Sequence, residues 1–316
     1  MNDEREPAPD VFTGCMVGSA LGDAIGELAF RQPDRDQLRA EVNTADVLRY
    51  TDDTAMALGV AEAILEGEGD LDPEQLGRIF ARNYSDEPWR GYGPGPPSIF
   101  RTVEEEGCSY REAAGRLFDG EGSMGNGAAM RVAPLGVFYC GRDDLRRKAE
   151  LSAGVTHTHP LGCDGAAVLA QAVGRAALLD PEDEFPAPDF ARELAEDADT
   201  DAFRDALEEL AELAEKHAGR GEAARKLGTD VLIHRSVPYA IYCFVTAPSS
   251  FERCLMHAIL VPGDRDTIGA MAAGISGAYL GESAIPAGWV RSLENAGLLR
   301  DYARKLHRVR FAAGRG

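Results

Sequence analysis

Two short acidic stretches carry the residues best suited to do chemistry in this chain. One is Tyr50-Thr51-Asp52-Asp53-Thr54, directly before a long apolar-periodic run that reaches Leu65; the other is Asp264-Arg265-Asp266-Thr267, again followed by a run of small residues. Thr51 is a suitable N-cap, and carboxylates in a first helical turn face the positive end of the helix dipole. Capping accounts for one acid at the first stretch, not for two. If both helix starts face one pocket, four carboxylates crowd together, and they stay ionised only beside a cation. Hard oxygen donors of this kind suit Mg²⁺, Mn²⁺ or Ca²⁺. A pair of such ions, held roughly 3.5–4 Å apart, polarises a ligand oxygen and activates a water.

A second candidate is Ser123-Met124-Gly125-Asn126-Gly127, which runs into Ala128-Ala129-Met130-Arg131. Glycines that open a helix let successive backbone N–H groups converge on a phosphate without a lysine. An ordinary loop-to-helix turn has the same composition. The third is Thr156-His157-Thr158-His159-Pro160. Two histidines two residues apart do not have helical metal spacing, and imidazole fits a hard oxygen site poorly. His157 therefore reads as a hydrogen-bond donor to a substrate hydroxyl or phosphate, or as a capping residue, and His159 as structural.

The elements that must position these groups are helices. Gly14, Gly18, Gly22 and Gly26 fall four apart, so one side of a helix is nearly bare backbone; Gly269, Ala273, Gly277 and Gly281 repeat the pattern beyond Asp266. Each glycine costs a helix roughly 1 kcal/mol relative to alanine, which only a very close neighbour offsets. The two small-faced helices are expected to pack deep in the core and to carry acids to one cleft. Asp23 and Glu27, spaced i,i+4, share a face of the first.

The pattern elsewhere predicts helices over 53–66, 73–84, 98–106, 109–118, 145–154, 162–179, 201–217, 231–245 and 250–260, and a block over 128–139 kinked at Pro134. Residues 1–10 read as a disordered lead, 31–49 as polar connection, 180–200 as an acidic surface excursion and 286–316 as a C-terminal appendix. Trp89 to Pro97, rich in glycine and proline, reads as a long surface loop, either a lid or a connector. No period of 20–50 residues recurs. The expected fold class is all-α, a compact orthogonal multi-helix bundle in one domain over 11–316 with a central two-metal cleft.

The 316 residues suffice for a sizeable core, and a formal charge of -20 argues against a general nucleic-acid or anionic-membrane surface. The basic residues are nearly all arginine, with lysine only at positions 148, 216, 226 and 305. Six cysteines without a CxxC pair read as buried thiols in a reducing cytoplasm. The N-terminus lacks the basic and apolar regions of a signal peptide, and the apolar stretch 268–280 is too short to span a bilayer. A soluble cytoplasmic protein is expected.

Five motifs, GDAIG, YTDDTAMALGVAEAIL, SMGNGAAMRVAPLG, THTHPLGCDGA and DRDTIGAMAAGISGAYLG, occur in an order and spacing that resembles the ADP-ribosylglycohydrolase family, which includes the dinitrogenase reductase-activating glycohydrolases. The resemblance covers roughly residues 12–285. It implies a two-metal centre, Mg²⁺ or Mn²⁺, that cleaves the bond between ADP-ribose and a modified protein side chain or small acceptor. It also implies that Thr51, Asp52, Asp53, Asp264, Asp266 and Thr267 are metal ligands, that Ser123–Gly127 cradles ADP-ribose and that His157 contacts substrate. Many members carry a glutamate several residues beyond the glycine of GDAxG; here the nearest acid is Glu27 and position 30 is Phe30. The proton-transfer role is therefore open between Glu27 and the carboxylates Asp52, Asp53 and Asp266. Two competing functions remain: a catalytically silent ADP-ribose-binding or structural protein, and a divalent-metal phosphoesterase that would release AMP and ribose phosphate.

Overall fold

The computed structural model describes residues 6–312. Among them are 17 α-helices, three short 3-10 turns and no sheet, only two isolated bridges, Leu48 with Leu293 and Gly125 with Leu232. The expected all-α architecture is what the chain adopts.

Its centre is an antiparallel pair, the helix Pro9–Arg31 against the helix Arg265–Leu280. Every residue from Phe12 to Gly26 of the first, and from Thr267 to Tyr279 of the second, is buried. Helices enclosed on all sides in this way are core elements rather than amphipathic surface ones. A Cβ on Gly18 would lie 2.7 Å from the carbonyl oxygen of Ala273, and one on Gly26 would lie 2.5 Å from the Cα of Asp266. The bare faces thus touch backbone to backbone, and the register places Gly26, three residues beyond Asp23, directly on Asp266.

Several expectations need correction. Residues 35–44 form a helix, because Asp34 caps it by accepting from the N–H groups of Asp36 and Gln37 and because Leu38 and Val42 bury one stripe. The loop after Asp86 is shorter than the glycines and prolines suggest. Gly95–Glu106 is helical from its first residue, with Pro96 and Pro97 in the first turn, where a missing N–H costs nothing. The block 128–139 is not one kinked helix but a 3-10 turn, Asn126–Ala128, and a separate helix, Ala133–Phe138, with Pro134 in its first turn.

The acidic stretch 180–200 contains the helix Ala187–Asp197, which buries Phe190, Ala191, Leu194 and Ala195. Phe185 joins it to the core, with ring centroids 5.0 Å from Phe244 and 5.4 Å from Tyr279. Of the ten-residue lead, residues 1–5 lie outside the described residues, while Pro9 and Asp10 already form the first turn of the first helix. All six cysteines are free; Cys15, Cys140, Cys243 and Cys254 are buried, but Cys108 and Cys163 are only half-buried. No helix among the described residues is long and apolar enough to cross a membrane.

The C-terminal segment is no appendix. The helix Ala296–Ala312 packs on Pro9–Arg31 and on Asp52–Glu66, with Leu299, Ala303 and Leu306 buried at i, i+4 and i+7. Trp289 is buried and its indole N–H donates to Asn43 at 2.9 Å. Leu306→Ala is accordingly expected to destabilise the whole domain by about 2–5 kcal/mol, as for other buried leucines. Equilibrium denaturation in urea measures this, and an unchanged midpoint would show that the segment is dispensable.

Candidate active site

Asp23, a turn before the end of the central helix's buried stretch, organises the first acidic motif. It is fully buried, and its carboxylate accepts four groups: the N–H of Thr51 at 2.9 Å, the Thr51 hydroxyl at 2.8 Å, the N–H of Thr54 at 3.0 Å and the Thr54 hydroxyl at 2.6 Å. Thr51 occupies the N-cap position of Asp52–Glu66, yet its side chain does not cap. The hydroxyl is turned to Asp23 instead, and across to Asp53 Oδ2 at 3.3 Å. The capping expected of Thr51 is therefore replaced by a tie between two helices. In the sequence Asp23 stands as the i,i+4 partner of Glu27 and as the acid of the GDAIG motif.

With Asp23 satisfied, the neighbouring acids are not. Asp53 is 2% exposed and its Oδ1 has no hydrogen-bond partner. Burial first, then the charges of Asp23, Asp266, Asp52 and Asp264, hold its carboxyl well above the usual range. Burial and then Asp23 push Asp52 up to about 7; burial and then Asp264 push Asp266 up to about 8. Asp23 itself rises to about 6 through burial, opposed by its threonine donors. Thr51 and Asp52 line one cleft with Asp266, so the two acidic helix starts do meet.

The second start is held in place by other donors. Asn126 Nδ2 donates to Asp264 Oδ2 at 2.6 Å and to the Ser236 hydroxyl at 3.3 Å. The N–H of Thr267, which is itself buried, donates to Asp266 Oδ1 at 2.9 Å. Glu27, half-buried, lines with Thr51, Asp52 and Asp266 a cleft of about 620 Å³. Among the described residues no three carboxylate, imidazole or thiol groups are drawn tightly enough together to hold an ion as they stand. The donor set still fits hard cations: it is all oxygen, and Asp53 offers a buried oxygen that nothing else satisfies.

One wall of the cleft went unnoticed in the sequence. Arg90, nearly buried, donates to the Tyr50 carbonyl at 3.0 Å, to Glu87 at 3.0 Å and to Glu294, and lies 4.2 Å over the Tyr50 ring. Glu294 also accepts the N–H of Tyr50 at 2.9 Å. This network clamps the residue just before Thr51. No local pattern announces it, since its members come from positions 50, 87, 90 and 294.

The glycine loop sits beside the acids through Asn126. Two of its N–H groups are already engaged: Gly125 donates to the Ser123 hydroxyl oxygen at 3.1 Å and Asn126 to the Val231 carbonyl at 2.9 Å. The expected nest of converging donors is thus partly used within the protein, though the Ser123 hydroxyl keeps its proton to donate. Met124 is partly exposed, at 37%. His157 packs under Gly125 and Gly127, whose absent Cβ atoms would lie 3.4 and 3.3 Å from its Nε2. Its Nδ1 pairs with the Thr156 hydroxyl at 2.7 Å. His159 caps the helix Pro160–Leu178 by accepting from Leu161 at 3.1 Å, as a structural residue should.

Behind the loop lies Arg131, fully buried, donating to the carbonyls of Gly127 at 3.2 Å and Ser152 at 2.7 Å and stacked 4.8 Å over Phe80. Burial, and then the Arg131 charge, push His157 down to about 3. The unfolded imidazole takes its proton near 6.5. Between these values the unfolded chain binds the extra proton, so His157 lowers stability as pH falls from about 6.5 towards 3. His157→Gln should flatten the fall of the thermal midpoint over that window; an unaltered slope would show that His157 does not contribute.

The family model for ADP-ribosylglycohydrolase matches residues 4–315. The ADP-ribosylhydrolase ARH3 of Homo sapiens is 33% identical over 342 residues, spanning 94% of this chain and 93% of the human protein. The YegU protein of Escherichia coli K12 is 32% identical over 307 residues, spanning 86% and 88%. Among solved structures, an ADP-ribosylglycohydrolase-related protein complex superposes with a TM-score of 0.71 at 25% identity, over 96% of this chain and 99% of that one. Matched along nearly its whole length, the chain belongs to the ADP-ribosylglycohydrolase family.

Proposed function

We propose that this protein is a divalent-metal-dependent hydrolase that releases ADP-ribose from a modified protein side chain or a small acceptor by cleaving the glycosidic bond at the anomeric carbon of the distal ribose. The observation that carries the reading is the meeting of Asp52 and Asp53 with Asp264 and Asp266 around a buried carboxylate oxygen of Asp53 that has no partner. Thr51, Asp52, Asp53, Asp264, Asp266 and Thr267 would hold two cations, Mg²⁺ by preference and Mn²⁺ as an alternative. Once bound, such ions would orient the ribose hydroxyls and lower the pKa of a water.

The remaining work falls to the chain. Asp23 fixes Thr51 and Thr54, and through them the start of the Asp52–Glu66 helix. The Ser123 hydroxyl and the exposed surface of Met124 to Gly127 would receive ADP-ribose, with the neutral His157 beneath. Glu27, lining the same cleft, would take the proton of the attacking water as its oxygen bonds to the anomeric carbon and the acceptor departs.

A panel of ADP-ribosylated acceptors assayed with Mg²⁺, with Mn²⁺ and with chelator tests the reading. Intact ADP-ribose should appear with a divalent ion and not with chelator. AMP and ribose phosphate would indicate a phosphoesterase, and tight ADP-ribose binding without release from any acceptor would indicate a silent relative. Glu27→Gln should lower turnover on the order of 10²-fold with little change in ADP-ribose affinity, as for loss of a general base; full activity would return the role to the aspartates.

A further inference from the structure

The strongest feature outside the acidic cleft is a groove of about 1010 Å³ between the segments around Phe185, His217 and the helices Ile233–Val245 and Phe251–Ile259. None of its lining residues belongs to the acidic site. One wall is apolar and aromatic, with Phe185, Pro186 and Val245 beside the buried ring of Tyr242. The opposite chemistry is cationic: Arg220 and Arg253 both line it, and both are exposed.

The formal charge is -20, and ion pairs engage arginines over much of the surface, including 39, 82, 116, 142, 175, 192, 204, 235 and 300. Among the described residues neither Arg220 nor Arg253 has a carboxylate within salt-bridge distance. Of the two acids that line the groove, Glu215 is already paired with Arg192 at 2.5 Å, which leaves Glu184. His257, on the groove wall, has a buried Nδ1 without a hydrogen-bond partner. It is also held down to about 4, by burial first and then by Arg253, Arg220 and Arg35.

We propose that this groove is a second binding site, for an aromatic phosphomonoester whose phosphate meets Arg220 and Arg253 and whose ring lies on the Phe185–Val245 wall. Guanidinium forks match phosphate oxygens in a bidentate way, and an apolar wall distinguishes a ring-bearing phosphate from the free anion. His257, neutral near pH 7, adds no charge to the groove wall. The site is independent of the acidic cleft and of the hydrolase reading.

Titration calorimetry of the full chain with phenyl phosphate, with inorganic phosphate and with phenyl phosphate in the presence of saturating ADP-ribose tests the proposal. Phenyl phosphate should saturate, bind at least about tenfold more tightly than inorganic phosphate, and be unaffected by ADP-ribose. The double variants Arg220→Gln/Arg253→Gln and Arg220→Glu/Arg253→Glu, both at exposed positions, should weaken it at least about tenfold, since each removes two charge-assisted contacts. Hydrolysis at the acidic cleft should stay at the wild-type rate. Absence of saturable binding up to about 10 mM, equal affinity in both double variants, or displacement by ADP-ribose would each overturn the proposal.

Discussion

Asp53→Asn is expected to lower turnover by at least about 10²–10³-fold while leaving the helix content of the protein unchanged. The substitution keeps the shape of the side chain and removes the charge. Its second effect is on stability, and there the sign is opposite to that of most buried substitutions. The folded carboxyl of Asp53 sits above its unfolded value of 3.8, so the folded chain holds the proton more tightly. Stability therefore falls as pH rises from 3.8 through the folded value, and above 3.8 the buried carboxyl is a burden on the fold.

Removing that carboxyl should raise the thermal midpoint in chelator. Wild type should gain stability when Mg²⁺ is added, because an ion that binds only the folded state stabilises it by mass action, and the variant should gain less. Thermal scans of both proteins, with chelator and with Mg²⁺, separate the two effects. Full turnover in the variant, or an identical Mg²⁺-induced shift in both proteins, would sink the assignment of Asp53 as a ligand.

The burden explains which parts of the site could be read in advance. Two acids at a helix start exceed what capping requires, so Asp52, Asp53, Asp264 and Asp266 stand out locally. Glycines four apart are equally visible, since their helix cost has to be offset somewhere. Asp23 was harder to read because its role is defined by what it accepts, the N–H and hydroxyl groups of Thr51 and Thr54, which lie 28 and 31 residues away. The Arg90–Glu294 pair is more distant still, and sequence spacing carries no trace of it.

The misread elements share a cause. Arg35–Thr44 buries only Leu38 and Val42, and Ala187–Asp197 starts behind two prolines in an acidic stretch, so polar composition concealed short buried stripes. Between Trp89 and Pro97 glycine and proline read as breakers, although proline in a first turn is a starter. Whether a motif is a site or a turn was likewise not decidable from Ser123–Gly127 alone. Two of its donors are already taken up by Val231 and Ser123, which receive the N–H groups of Asn126 and Gly125.

Gly22→Ala should be among the most damaging single-methyl additions possible in this protein. Alanine in place of glycine ordinarily favours a helix by about 1 kcal/mol. Here the new Cβ would meet the carbonyl oxygen and carbon of Gly269, which are backbone and cannot swing aside. Overpacking that must move two central helices apart costs about 3 kcal/mol or more, with the helix preference already included. Gly297→Ala, in the helix Ala296–Ala312 with nothing within 4 Å of the added carbon, is the matched control and should be neutral or slightly stabilising. The urea midpoint of Gly22→Ala should therefore fall while that of Gly297→Ala holds or rises slightly, and a Gly22→Ala midpoint equal to wild type would refute the backbone contact. Gly26→Ala adds a functional readout, because its Cβ would press on the Cα of Asp266 at 2.5 Å. Its loss of turnover should exceed what the unfolded fraction explains, since the same helix contact that holds the core together also sets where the second pair of acids begins.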